Sequence, residues 1–196
     1  NDAKIMASNE LDETIIRDLK KQGAKINLWG VGTNLITAKD QPALDGVYKL
    51  AAVQNKEGKW DYKIKISEQL VKTTNPGILQ VRRFFDEEGM ALADMLYDVE
   101  RGHPEKLELI DPIDPTIRRK IETPNHYEDL LIPVFKRGKK VYQSPKLVDI
   151  RKNTEAQLQK LPEPIRRFLY PQPYFVGLEK GLYDMKMALI KEIKHD

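Results

Sequence analysis

At 196 residues, with 33 basic and 30 acidic side chains and a formal charge of +3, the chain has room for one large or two small domains with a real core. It contains no cysteine, which excludes disulfides and any Cys-based zinc site or nucleophile within these residues. No apolar run approaches the ~18 residues of a membrane span, no signal-like segment opens the chain, and charges of both signs are interspersed rather than gathered into a nucleic-acid-binding face, so a cytoplasmic location with neither membrane nor nucleic acid as partner is expected.

Lys4 to Ala7 reads as a short strand that runs into a polar turn, Ser8-Asn9. A helix over 10–22 follows, with Asn9 as N-cap, Asp12 three residues on, and Leu11, Ile15, Ile16 and Leu19 on one face. Glu10, Asp12 and Glu13 favour the positive end of its dipole, Lys20 and Lys21 the negative end, and Gly23 supplies the stop. Ile26 to Trp29 is a second strand, closed by Gly30-Val31-Gly32-Thr33. Strand, helix and strand form a βαβ unit with a right-handed connection, so both turns fall at the carboxyl ends of neighbouring parallel strands, the functional edge of such a sheet. Glycines there permit close backbone approach to an anion, and Thr33 adds a hydroxyl, so the turn can close on a phosphate. Lys39 follows closely enough to reach a phosphate as a point charge, Lys49 lies in the strand after it, and Trp29 reads as a wall residue.

Beyond residue 50 the texture becomes β-rich. Val47 to Val53 and Trp60 to Ile66 pair around an Asn55-Lys56-Glu57-Gly58 turn, and Asp61, Lys63 and Lys65 alternate with Tyr62, Ile64 and Ile66. Leu79 to Asp86 and Met90 to Val99 form a hairpin across Glu87-Glu88-Gly89, and Leu107 to Ile110 is a short strand stopped by Asp111-Pro112. Val134-Phe135 and Val141-Tyr142 bracket a charged hairpin tip, Lys136 to Lys140. Leu147 to Leu161 is an amphipathic helix with Leu147, Ile150, Thr154, Leu158 and Leu161 on one face; Pro171, Pro173 and Gly177 mark a loop before a final helix, Leu178 to Ile193. The expected fold class is therefore α/β: a βαβ part over 1–50, a β-rich domain over 51–145 and a helical region over 146–196.

No catalytic motif emerges after residue 50. Asp111, Asp114 and Glu122 fall among prolines and read as a solvated loop rather than a metal site. His103, His126 and His195 sit in turn compositions or at the chain end, without the orienting partner that a catalytic histidine needs, so no catalytic residue and no metal ligand is assigned.

The segments Ala7-Ser8-Asn9-Glu10-Leu11-Asp12-Glu13, Gly23-Ala24-Lys25-Ile26-Asn27, Trp29-Gly30-Val31-Gly32-Thr33 and Pro42-Ala43-Leu44-Asp45-Gly46-Val47-Tyr48-Lys49-Leu50 occur in that order. With Lys65-Ile66-Ser67-Glu68, Lys72-Thr73-Thr74-Asn75-Pro76-Gly77 and Val81-Arg82-Arg83, they resemble the carboxyl-terminal half of a nicotinate phosphoribosyltransferase. The resemblance implies the last strands of an irregular (β/α) barrel followed by a β-rich domain, in a homodimer with its active site near the subunit interface. It implies transfer of phosphoribose from phosphoribosyl pyrophosphate to nicotinate, coupled to ATP hydrolysis with Mg2+, in NAD biosynthesis. Ser8, Asn9, Gly32 and Thr33 match positions that line the ribose-phosphate pocket, and Gly30 shapes the turn. The family's amino-terminal half, with its nicotinate-binding groups and phosphorylated histidine, has no counterpart here, so the chain is expected to be a fragment that needs that half. A non-catalytic module retaining only the phosphate turn is the alternative reading.

Overall fold

Asn27 decides where the first two strands begin to pair. Ile5 N–H donates to Asn27 Oδ1 at 3.1 Å, and the Asn27 and Leu28 amides both donate to the Ile5 carbonyl. The regular ladder therefore starts later than the apolar pattern suggests, giving β1 (Met6–Ser8) and β2 (Leu28–Gly30). The two are parallel, in the register Met6–Leu28, Ala7–Trp29, Ser8–Gly30. Between them runs α1 (Glu13–Lys21), and a one-turn α2 (Thr33–Ile36) follows. This computed structural model describes residues 2–102, 107–122 and 126–195, and the chain separates after Tyr48 into two units.

The N-cap of α1 is Asp12, not Asn9. Asp12 Oδ1 accepts the Ile15 N–H at 2.8 Å, so the helix starts at Glu13, whereas Asn9 and Glu10 lie in the left-handed region at φ 79° and 49°. Lys20 and Lys21 occupy the last turn, and Gly23, at φ 81°, closes the helix as expected.

The second unit opens with a hairpin of β3 (Ala52–Gln54) and β4 (Trp60–Tyr62), whose turn is held by Asn55 Oδ1 accepting the Glu57 and Lys59 amides. Then come β5 (Leu79–Phe85), β6 (Ala91–Asp98), β7 (Leu107–Ile110), β8 (Arg118–Ile121) and β9 (Tyr127–Asp129). A small hairpin of β10 (Phe135–Lys136) and β11 (Lys139–Lys140) precedes α3 (Leu147–Gln159) and α4 (Glu163–Arg166), and the chain ends in β12 (Val176–Glu179) and α5 (Lys180–His195). Six of these strands form one mixed sheet in the order β8-β7-β12-β6-β5-β9. Phe84, Ala93, Met95, Tyr97, Leu107, Leu109 and Ile121 make its apolar core, and α5 packs against β6, β7 and β12.

Further features depart from the sequence expectation: β3 covers only Ala52–Gln54, against the strand expected over Val47 to Val53, so Lys49 lies in no strand. Val176–Glu179 is not loop and helix start but an interior strand, parallel to β6 and antiparallel to β7. Tertiary pairing overrides the helical period there, and the buried Glu179 carboxylate ends the strand by accepting the Gly181 and Leu182 amides, which starts α5 at Lys180. β8 and β9 carry no strand-like alternation: β8 is Arg-Arg-Lys-Ile with only Ile121 buried, and it lies at a sheet edge, where charge discourages further pairing. Finally, α3 spans its expected place but buries none of its side chains.

Polar groups also fasten the sheet. Arg82 makes a bidentate pair with Asp129 at 2.7 and 2.9 Å, and Arg83 one with Asp94 at 2.8 Å, where Tyr174 also donates its hydroxyl. Asp111 Oδ1 accepts the Ile113 and Asp114 amides, and Asp114 Oδ1 the Thr116 amide, within their own loop.

Gly177 pairs with Met95, and a Cβ on it would lie 2.9 Å from Phe175 Cε1, 3.0 Å from Leu109 Cβ and 3.2 Å from the Ile110 carbonyl. Gly177→Val therefore lowers unfolding stability by about 1–3 kcal/mol through overpacking, read as a lower urea midpoint with unchanged slope. Lys186 on α5 is 6% exposed and donates to Asn75 Oδ1 at 2.9 Å; burial holds its pKa below the usual lysine value. The unfolded chain then binds the proton more tightly, so this residue's penalty is greatest at low pH and is relieved as pH rises from the lowered folded pKa toward the ordinary lysine value. Denaturation measured against pH in that alkaline window should show stability rising, with a flatter profile in Lys186→Met.

Candidate phosphate site

Because β1 and β2 are parallel, Ser8 and Gly30 end their strands side by side. A Cβ on Gly30 would fall 3.1 Å from Ser8 Cβ and 3.0 Å from Met6 Cε, so a hydrogen is what lets the two strand ends close. The chains leaving them enclose a pocket of about 190 Å³ lined by Asn9, Glu10, Leu11, Gly30, Gly32, Thr33 and Asn34. Asn9, Gly30, Gly32 and Thr33 thus converge, and Ser8 stands behind Gly30 rather than in the lining. Lys39 is not brought in: it lines an adjoining hollow of about 490 Å³ with Asp12, Ile16, Val31, Leu35 and Asn34, the residue the two hollows share.

The glycine turn is also a helix start. The Gly32 carbonyl accepts the Leu35 and Ile36 amides at 3.1 Å, making Gly32 the N-cap of α2. The Thr33 and Asn34 amides come in the first turn, before intrahelical acceptors exist for them. Gly32 faces open space: a Cβ on it would find no heavy atom within 4 Å. On the opposite wall, Asn9 and Glu10 are successive non-glycine residues at positive φ, a conformation that costs about 1–3 kcal/mol per residue and concentrates at ligand clamps. Asn34 Nδ2 donates to the Leu11 carbonyl at 3.0 Å, joining the two walls.

Glu10, Leu11 and Asn34 are wall residues that sequence reasoning did not assign to the pocket. Glu10 looked like a first-turn helix charge, and only its left-handed backbone turns the chain here. The lining residues carry main-chain amides in the glycine turn, a hydroxyl on Thr33 and a carboxylate on Glu10. His126 is exposed, with its main-chain oxygen taken by the Phe85 amide, and His103 lies outside the described residues. Among the described residues no group of three or more His, Cys, Asp or Glu could hold a metal ion, and no helix is long and apolar enough to cross a membrane.

The profile of the nicotinate phosphoribosyltransferase C-terminal domain matches residues 79–186. The chain is 40% identical to the nicotinate phosphoribosyltransferase of Bacillus subtilis (strain 168), over 98% of this chain and 40% of that protein. It is 35% identical to the Dictyostelium discoideum protein of that name, over 97% of this chain and 34% of the relative, and 30% identical to the human one, over 94% and 34%. The crystal structure of human nicotinic acid phosphoribosyltransferase superposes with a TM-score of 0.70 at 25% identity, covering 96% of this chain and 33% of that one. The chain belongs to the nicotinate phosphoribosyltransferase family. It spans two fifths or less of the length of these relatives.

The two pocket glycines should separate in a stability measurement. Gly30→Val forces β1 and β2 apart and lowers unfolding stability by about 1–3 kcal/mol. Gly32→Val, entering open space, leaves the melting temperature near that of the unsubstituted protein. Thermal unfolding of the two variants side by side checks both.

Proposed function

We propose that the intact protein joins nicotinate to the ribose of phosphoribosyl pyrophosphate, giving nicotinate mononucleotide and pyrophosphate in NAD biosynthesis, and that this chain supplies the ribose-phosphate end of its site. The observation that carries this is the meeting of Asn9, Gly30, Gly32 and Thr33 in one small pocket at a parallel strand edge, in a chain of this family.

In this reading the 5-phosphate sits against the glycine turn, held by the Gly32 and Thr33 backbone donors and the Thr33 hydroxyl. The bond from the ribose anomeric carbon to pyrophosphate breaks as the nicotinate nitrogen forms a new one, and positive charge develops on the ribose. Catalysis of that kind rests on positioning and charge stabilisation rather than on a nucleophile in the protein, so donors held rigidly on strand ends suit it. Ser8 and Gly30 act one step back, setting how closely the two strand ends approach. Lys39 acts only as a distant positive charge.

The reading extends beyond this chain. In this reading, nicotinate binding and the phosphorylated histidine come from a part of the intact protein outside residues 1–196. The intact protein acts as a homodimer in the cytoplasm and couples the transfer to ATP hydrolysis with Mg2+. Among the described residues no group of three or more His, Cys, Asp or Glu is placed to hold Mg2+.

The test is nicotinate mononucleotide formation, with and without ATP, by the full-length protein and by residues 1–196 alone. The full-length protein should turn over, faster with ATP, and the shorter chain should not. Gly32→Val in the full-length protein should raise the KM for phosphoribosyl pyrophosphate by about tenfold or more while leaving the KM for nicotinate nearly unchanged, since branched methyls occupy the space of the phosphate. Robust turnover by the short chain, or an unchanged KM in Gly32→Val, removes the site from this pocket.

A further inference from the structure

We infer that Asn34 is a positioning residue for the phosphate pocket: its side-chain amide ties the strained corner after β1 to the glycine turn after β2. The inference rests on the phosphate reading above and adds a residue to it.

Asn34 Nδ2 donates to the Leu11 carbonyl at 3.0 Å across 23 positions of sequence. Leu11 is the buried hydrophobic residue among those described in 2–48, so the acceptor end of the bond is anchored. Just before it, Asn9 and Glu10 hold φ values of 79° and 49°, a backbone that persists only where neighbouring contacts over-determine it. Three contacts bracket this corner. Upstream, Ser8 pairs with Gly30; downstream, Asp12 Oδ1 accepts the Ile15 amide at 2.8 Å; and between them stands the Asn34 bond. Of the three, only the Asn34 bond links the corner directly to the α2 side of the pocket. Asn34 also lines that pocket, directly after Thr33. Its geometry therefore sets the distance between the Asn9–Glu10 wall and the Gly32–Thr33 donors, which is the width across which a phosphate ester must fit.

Replacing the amide by a carboxylate keeps the shape but faces an oxygen against the Leu11 carbonyl, and replacing it by alanine removes the tie. In the full-length protein, Asn34→Asp and Asn34→Ala should each raise the KM for phosphoribosyl pyrophosphate by about tenfold, the scale of one hydrogen bond, with the nicotinate KM within about twofold. In the same protein, amide hydrogen exchange at Glu10 and Leu11 should quicken. Gly32→Val serves as the control for the pocket itself. If Gly32→Val raises that KM and the Asn34 variants do not, the tie is refuted and the pocket stands. If Gly32→Val also leaves it unchanged, the phosphate reading falls and the inference with it. Equal losses in kcat and in both KM values, together with a lower melting temperature, would make Asn34 a general structural residue and overturn the positioning role.

Discussion

Parallel pairing forces two strands to finish at the same edge, and in residues 2–48 every proposed contact with a ligand depends on that edge. With Ser8 opposite Gly30, the segments that leave β1 and β2 start as neighbours and can close on each other within a few residues. An antiparallel pair would send them to opposite ends of the unit. The register matters as much as the direction: one residue of slip would put a side chain where Gly30 now lies against Met6 and Ser8. Asn27 guards that register by replacing part of the backbone ladder with its own amide.

The pocket built on this edge is lined without Lys or Arg. An anion there would be met by dipoles, from amides and a hydroxyl, rather than by full charges. Dipoles held by a rigid backbone need no reorganisation when charge shifts during a reaction, whereas long cationic side chains must be immobilised first. A carboxylate such as Glu10 can share the pocket because hydroxyl groups on the same ligand would give it hydrogen bonds to accept. Lys39 lines a different hollow and takes no part in this lining.

In residues 49–196 the organising constraint is the entry of β12 between β6 and β7. It joins the last part of the chain to strands far earlier in sequence, so the sheet cannot close until the carboxyl-terminal segment arrives. The fit is tight at Gly177, and Glu179 then serves twice, ending the strand and capping α5. Arg82 and Arg83, adjacent in sequence, point to opposite faces of β5 and pair with Asp129 and Asp94 from β9 and β6, which locks neighbouring strands in register on both sides. α3 stands apart from this scheme, since its apolar positions Leu147, Ile150 and Leu158 remain exposed.

Much of this was legible in the sequence because it is local. The α1 periodicity, the Gly23 stop, the Asn55 turn and the β5–β6 hairpin all rest on contacts between residues close in the chain, and so did the glycine turn that first suggested a phosphate. The family resemblance was readable for the same reason, as short segments in a fixed order. What the tertiary structure decided is non-local. A strand at Val176–Glu179 exists only because β6 and β7 leave a slot for it, and nothing in its own period distinguishes it from the helix that follows. Asp12 rather than Asn9 caps α1, because Asn9 and Glu10 turn at positive φ between the Ser8–Gly30 pairing and the Asn34–Leu11 bond. Lys39 is near the turn in sequence yet lines the adjoining hollow, past the end of α2 at Ile36. Backbone direction at a corner, and which distant side chain crosses to hold it, are set by packing, and packing is the part that a linear pattern does not encode.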